Sequence, residues 1–232
     1  FNIDPLSLRK KQAQPSADLP LTQKHAIVMP VYNEDTRRIM VGFEACIREL
    51  MESNNRDKFD FYMLSDTRDM EKADAELRAF NRLKKRLGAF SSQVFYRRRE
   101  QNLHRKVGNL KEFCERWGAN YESMIVLDAD SVMTGERMQD LARRIEQNPD
   151  TALVQTIPMP VRQNTFFGRF VQFAAHLYSP MLATGLSFWQ TDSANYWGHN
   201  AIIRIAPFMQ HCGLPTLEGR APFGGEILSH DF

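Results

Sequence analysis

Along the first two thirds of the chain, short apolar runs alternate with segments in which apolar residues recur every three or four positions. "HAIVMP" (25–30) is an apolar run closed by Pro30, the pattern of a strand buried on both faces of a parallel sheet. In residues 35–53, Ile39, Phe43, Cys46, Ile47 and Leu50 fall at helical spacing, and Asp35 or Thr36 stands in place to cap the start. The unit then repeats in kind. "FDFYMLS" (59–65) predicts a strand, 70–87 an amphipathic basic helix, and "VFYRR" (94–98) another short strand. Residues 105–117 predict a helix ended by Gly118, "SMIVLDAD" (123–130) a buried strand finishing in carboxylates, 136–147 a helix and "TALVQTIP" (151–158) a strand.

This βαβα order predicts an α/β fold, an open and mostly parallel sheet flanked by helices and joined by right-handed crossovers. Residues 1–23 carry Pro5, Pro15 and Pro20 without a sustained period and read as an irregular lead-in; 24–232 read as one domain. Residues 166–189 depart from the alternation, being rich in aromatics but interrupted by Arg169, His176 and Pro180. They fit either a membrane-surface helix or a core or lobe-packing helix, and the scarcity of flanking basic residues favours the second.

Charge removes some classes. With 30 basic and 28 acidic side chains the net charge is +2, so no broad field points to nucleic acid. Cys46, Cys114 and Cys212 are odd in number and far apart, which argues against a disulfide framework or a zinc site and for a reducing cytosol. The start lacks the pattern of a signal peptide, and no apolar run approaches the roughly 20 residues that span a bilayer. The expectation is a soluble domain excised from a larger protein.

In open α/β sheets ligands bind beyond the carboxyl ends of strands, and the chemistry-bearing residues gather there. Asp128 and Asp130 end the "MIVL" strand and offer two hard oxygen ligands suited to Mg²⁺ or Mn²⁺, whose other ligands come from water and a diphosphate. Alternatively, Asp130 caps a turn before Thr134-Gly135. Tyr32, Asn33 and Glu34 follow the first strand and Asp66 ends the second. A flat base can stack on Tyr32 and donate to a carboxylate or amide; Asn33 and Asp66 equally suit local turns. "YRRREQNLHRKVGNL" brings Arg105, Lys106 and Gly108 to a helix start, which attracts an anion, although the segment alone also reads as a solvated basic face. Neither a Walker A loop nor a GxGxxG fingerprint occurs.

Taken in order, "PVYNE", "LSD", "HRKVGNL", "LDAD", "YWGHNAIIR" and "SHDF" resemble the motifs of the family 2 glycosyltransferases, which include cellulose and hyaluronan synthases. The resemblance covers residues 24–232 and implies a GT-A-like, Rossmann-like catalytic domain. It implies inverting transfer of glucose from UDP-glucose to a growing β-glucan acceptor chain, with β-1,2 linkage, at the cytoplasmic face of the bacterial inner membrane. Tyr32, Glu34 and Asp66 would then hold the uridine, Lys106 and its helix start the diphosphate, Asp128 the donor, and Asp130 the metal. Trp197, Gly198, His199 and Asn200 would border the acceptor, unless Trp197 is core. Asp231 matches the general base, preceded here by His230 where the family usually has a glutamate.

The QxxRW motif of processive members does not occur after Asp231, so that element and the membrane-spanning segments would lie outside this chain. Two other readings compete. A nucleotide-sugar sensor would need no base, and a nucleotidyltransferase would need a glycine-rich grasping loop near the first strand, which is absent.

Overall fold

The computed structural model describes residues 20–191, 193, 195–213 and 218–219. Six strands form one sheet in the order β3-β2-β1-β4-β6-β5. They are β1 (His25–Val31), β2 (Phe59–Ser65), β3 (Val94–Arg98), β4 (Ser123–Val126), β5 (Leu153–Gln155) and β6 (Ala201–Arg204). Strands β1 to β4 pair in parallel, whereas β6 runs antiparallel to both β4 and β5. Among the described residues six α-helices accompany them: α1 (Thr36–Met51), α2 (Met70–Leu87), α3 (Arg105–Trp117), α4 (Gly135–Gln147), α5 (Phe166–Gln190) and α6 (Ile205–His211).

The unbroken apolar character of β1 is explained by helices on both sides of the sheet. Ile27, Met29 and Val31 pack with Phe43, Ile47, Phe80, Leu83 and Met138 of α1, α2 and α4. Ala26 and Val28 point the other way, to Leu110, Phe113 and Phe208 of α3 and α6. Capping fixes where the helices begin. Asp35 accepts from the Arg38 amide at 2.7 Å to start α1, and Asp69 accepts from the Glu71 and Lys72 amides to start α2.

Several expectations need correcting. The strand expected over 151–158 is confined to Leu153–Gln155, at the sheet edge. Strand β6 and helix α6 were not anticipated, because "AIIR" is too short a run to separate strand from helix by period alone. Residues 166–189, expected to form a helix either at a membrane surface or in a core or lobe-packing role, do form helix α5, but it is not a core element: Ser179 is its one buried residue. Phe166, Phe173, Leu177 and Trp189 are 90%, 66%, 72% and 82% exposed. No helix among the described residues is long and apolar enough to cross a membrane.

At the opposite end of the sheet from the strands' carboxyl termini, His25 joins the Ser123 hydroxyl at 2.8 Å and the Glu146 carboxylate at 3.1 Å. The trio has the residue types of a hydrolytic triad, yet His25 and Ser123 are fully buried and no substrate reaches them. Glu146 also accepts from the Thr22 and Gln23 amides, so the trio fastens the segment before β1 to α4.

Candidate active site

A cleft of about 790 Å³ opens beyond the carboxyl ends of β1, β2 and β4, within the size range of small-ligand sites. Tyr32, Glu34, Asp66, Lys106, Asp128 and Asp130 line it together. They come from four separate stretches of chain, and parallel pairing of β1 with β2 and β4 brings three of those stretches to one edge. Arg105, expected at the anion-attracting helix start, also lines the cleft, as do Arg38, Arg68, Asn102 and Asn109, which were not singled out from the sequence.

Asp66 is held rather than free. Arg99, itself buried, donates through Nε to Oδ1 and through Nη2 to Oδ2 at 2.9 Å, the bidentate fork that suits guanidinium and carboxylate. The same guanidinium donates to the Leu103 carbonyl and to Asn102 Oδ1, both at 3.0 Å, and to the Arg105 carbonyl. One side chain thus ties the end of β2 to the loop that delivers α3. This anchoring sustains a costly backbone, since His104 and Arg105 both sit in the left-handed region at φ 53° and 47°. Gly108 lets that loop fold close over the helix: a Cβ there would fall 2.1 Å from the Leu103 carbonyl oxygen. Arg99 lies in the basic run at the end of β3, and its position at a strand terminus was the available signal.

Lys106 leaves the first turn of α3 and donates to Asp128 Oδ1 at 2.6 Å and to the Gly198 carbonyl at 2.8 Å. His199 Nδ1 lies 3.8 Å from Asp128 Oδ2. Trp197, Gly198, His199 and Asn200 do not line the cleft proper, but Lys106 and Asp128 join this segment to its floor. Gly198 adopts φ 85°, a conformation that favours glycine, and this turns its carbonyl to Lys106. Asn200 is anchored through both backbone and side chain. Its amide donates to the Val126 carbonyl at 2.7 Å, and its side chain reaches the Ser131 hydroxyl at 3.2 Å.

Asn33 also stands apart from the cleft lining. In the left-handed region at φ 55°, it accepts the Arg68 and Asp69 amides on its side-chain oxygen, both at 3.2 Å. The local-turn alternative describes it best.

Asp128 and Asp130 differ in availability. Asp128 is engaged by Lys106, whereas the Asp130 side chain is 65% exposed with Arg38 at 3.7 Å. No group of three or more His, Cys, Asp or Glu among the described residues could hold a metal unaided. An exposed carboxylate beside a cleft fits Mg²⁺ or Mn²⁺ provided water and substrate phosphate supply the remaining ligands. Asp231 lies outside the described residues.

The model of the family described as "Glycosyl transferase family 2" matches residues 26–212. The chain belongs to glycosyl transferase family 2. Its sheet of parallel strands with an antiparallel β6 is of the GT-A type. The chain is 46% identical over 225 residues to glucans biosynthesis glucosyltransferase H of Vibrio cholerae, a match covering 97% of this chain and 31% of that protein. It is 47% identical over 207 residues to the Pseudomonas putida protein of the same name, covering 89% and 24%. The chain therefore spans less than a third of the length of these curated relatives. Among solved structures, S. aureus TarS 1-349 in complex with UDP-GlcNAc is similar with a TM-score of 0.48 and 13% identity, covering 83% of this chain and 48% of that one.

Proposed function

We propose that this family 2 domain is the catalytic unit of an inverting, metal-dependent glucosyltransferase. It takes glucose from UDP-glucose and adds it to a growing β-1,2-linked glucan acceptor, the backbone of a periplasmic glucan. The observation that carries the reading is the convergence of Tyr32, Glu34, Asp66, Lys106, Asp128 and Asp130 on one cleft. The choice of glucose and glucan rests on identity to the glucans biosynthesis glucosyltransferases H.

In this reading the uracil ring lies against half-exposed Tyr32, with Glu34 and Arg99-anchored Asp66 facing its polar edge. The diphosphate lies toward the start of α3, where Arg105, Lys106 and the helix dipole favour negative charge. Asp130 would hold Mg²⁺ or Mn²⁺, which would supply positive charge to the departing diphosphate. Asp128 contacts the donor sugar side and is kept in place by Lys106. Asp231 removes the proton of an acceptor hydroxyl as that oxygen attacks the anomeric carbon; the bond from that carbon to UDP breaks on the opposite face, and configuration inverts.

Trp197 to Asn200, joined to the floor through Lys106 and Asp128, border the acceptor. The protein works at the cytoplasmic face of the bacterial inner membrane, attached through segments outside this chain. The exposed apolar side of α5 supports a place beside such segments.

The test is calorimetric titration of UDP with and without Mn²⁺ into the wild type, Asp130→Ala and Asp231→Ala. Binding should depend on metal, be lost in Asp130→Ala and persist in Asp231→Ala. Absence of UDP binding to folded wild-type protein would overturn the donor-site assignment.

A further inference from the structure

Glu76 lies on the apolar stripe of α2, between Ala73 and Phe80, and is fully buried. Three hydroxyls donate to its carboxylate: Ser65 Oγ at 2.7 Å, Thr67 Oγ1 at 2.5 Å and Tyr96 Oη at 3.3 Å. Burial pushes the Tyr96 phenol up to about 12, so it remains a donor. A carboxylate sunk among Phe80 and Leu83 is costly to desolvate, and an apolar residue would fill the same space at lower cost. Packing therefore does not account for Glu76.

Its partners do. Thr67 has one hydroxyl proton, and giving it to Glu76 leaves the Thr67 oxygen to accept the Asn33 amide at 3.0 Å. Ser65 repeats the arrangement, donating to Glu76 and accepting the Thr67 amide at 3.2 Å. Asn33 completes the circuit by accepting the Arg68 and Asp69 amides. The loop after β1, carrying Tyr32 and Glu34, and the loop after β2, carrying Asp66, are thereby locked into one body.

We infer that Glu76, acting through Thr67 and Ser65, is the positioning residue of the nucleoside end of the cleft. The inference rests on the donor-site reading proposed above. Glu76 does not touch the nucleotide; it sets the distance between the stacking face of Tyr32 and the carboxylate of Asp66.

The experiment compares UDP affinity, with and without Mn²⁺, in the wild-type chain, Thr67→Val, Thr67→Ser and Glu76→Gln, alongside the thermal midpoint of each. Thr67→Val keeps the shape and removes the relay. Its UDP affinity should fall roughly tenfold, the equivalent of one well-placed hydrogen bond, while the remaining binding keeps the wild-type dependence on Mn²⁺. Thr67→Ser should restore affinity. Glu76→Gln, with one acceptor oxygen in place of two, should fall between, and it tests the relay should Thr67→Val fail to fold.

Wild-type affinity in folded Thr67→Val or Glu76→Gln overturns the inference, as does a loss that Thr67→Ser shares. Failure of the wild type to bind UDP is a different result, sinking the donor-site reading itself.

Discussion

Lys106 donates to Asp128 at 2.6 Å across the floor of the cleft, and its second bond, to the Gly198 carbonyl at 2.8 Å, makes it a bridge between three parts of the chain. The pair is only partly shielded, with side chains 22% and 33% exposed, so its contribution to stability is modest, about 1 kcal/mol or less. Its effect on binding should be larger. Lys106→Met keeps most of the stem and removes the charge, leaving Asp128 repelling an incoming diphosphate. UDP affinity measured by calorimetry should fall at least about tenfold with little change in the urea midpoint. Unchanged affinity would show that Lys106 is a tether alone.

Gly108 and Gly185 make a matched pair of tests. A Cβ at Gly108 would meet the Leu103 carbonyl oxygen at 2.1 Å and His104 Cβ at 2.9 Å, so alanine there must push away the loop that positions Lys106. Gly108→Ala should cost about 1–3 kcal/mol, as overpacking does, and should weaken UDP binding too. A Cβ at Gly185, inside α5, meets nothing within 4 Å. Gly185→Ala should stabilise by up to about 1 kcal/mol through helix propensity. Equal destabilisation by the two substitutions would contradict the close approach at Gly108.

The period of apolar residues was enough to read β1, β2 and the helices α1 to α4, because each buries one continuous stripe or run. The polar strand ends were legible for the same reason: Tyr32, Glu34, Asp66, Asp128 and Asp130 all follow apolar runs and all line the cleft. Arg99 and Glu76 were harder. Arg99 sits in a run of like charges, where only the fold selects one guanidinium for Asp66. Glu76 did leave a trace, as the single carboxylate on the buried stripe of α2. The membership of Asn33 in a turn rather than the cleft lining depended on a contact 35 residues away, to the Arg68 amide, which no local pattern contains.

Helix α5 offers a direct test of exposure against hydrophobicity. The scarcity of flanking basic residues favoured a core or lobe-packing role, but Phe173 is 66% exposed whereas Phe43 of α1 is fully buried. Phe173→Ser should change unfolding free energy by no more than about 0.5 kcal/mol. Phe43→Ala should cost about 3–5 kcal/mol through lost transfer energy and a residual cavity. Urea denaturation monitored by far-ultraviolet dichroism measures both. A cost above about 2 kcal/mol for Phe173→Ser would mean that α5 is packed against the domain after all.

The trio of His25, Ser123 and Glu146 at the far end of the sheet predicts how acid unfolds the protein. Burial works to raise the Glu146 carboxyl, but hydrogen bonds from His25, from the Thr22 and Gln23 amides and from the Thr22 hydroxyl outweigh it, holding the group at about 2 against an ordinary 4.5. A carboxyl depressed by folding contributes stability that is fully present above its unfolded value. That contribution is lost as pH falls through the folded one. Glu146→Gln keeps the size of the side chain and abolishes this titration. The stability gap between wild type and variant should therefore be constant above about pH 5 and close progressively between about pH 4.5 and pH 2. Comparing the two proteins at each pH cancels the titration of the other carboxylates they share. Urea midpoints taken at intervals from pH 7 to pH 2.5 give the curve, and a gap that stays constant to the lowest pH would mean that the charge on Glu146 is not what fastens the segment before β1.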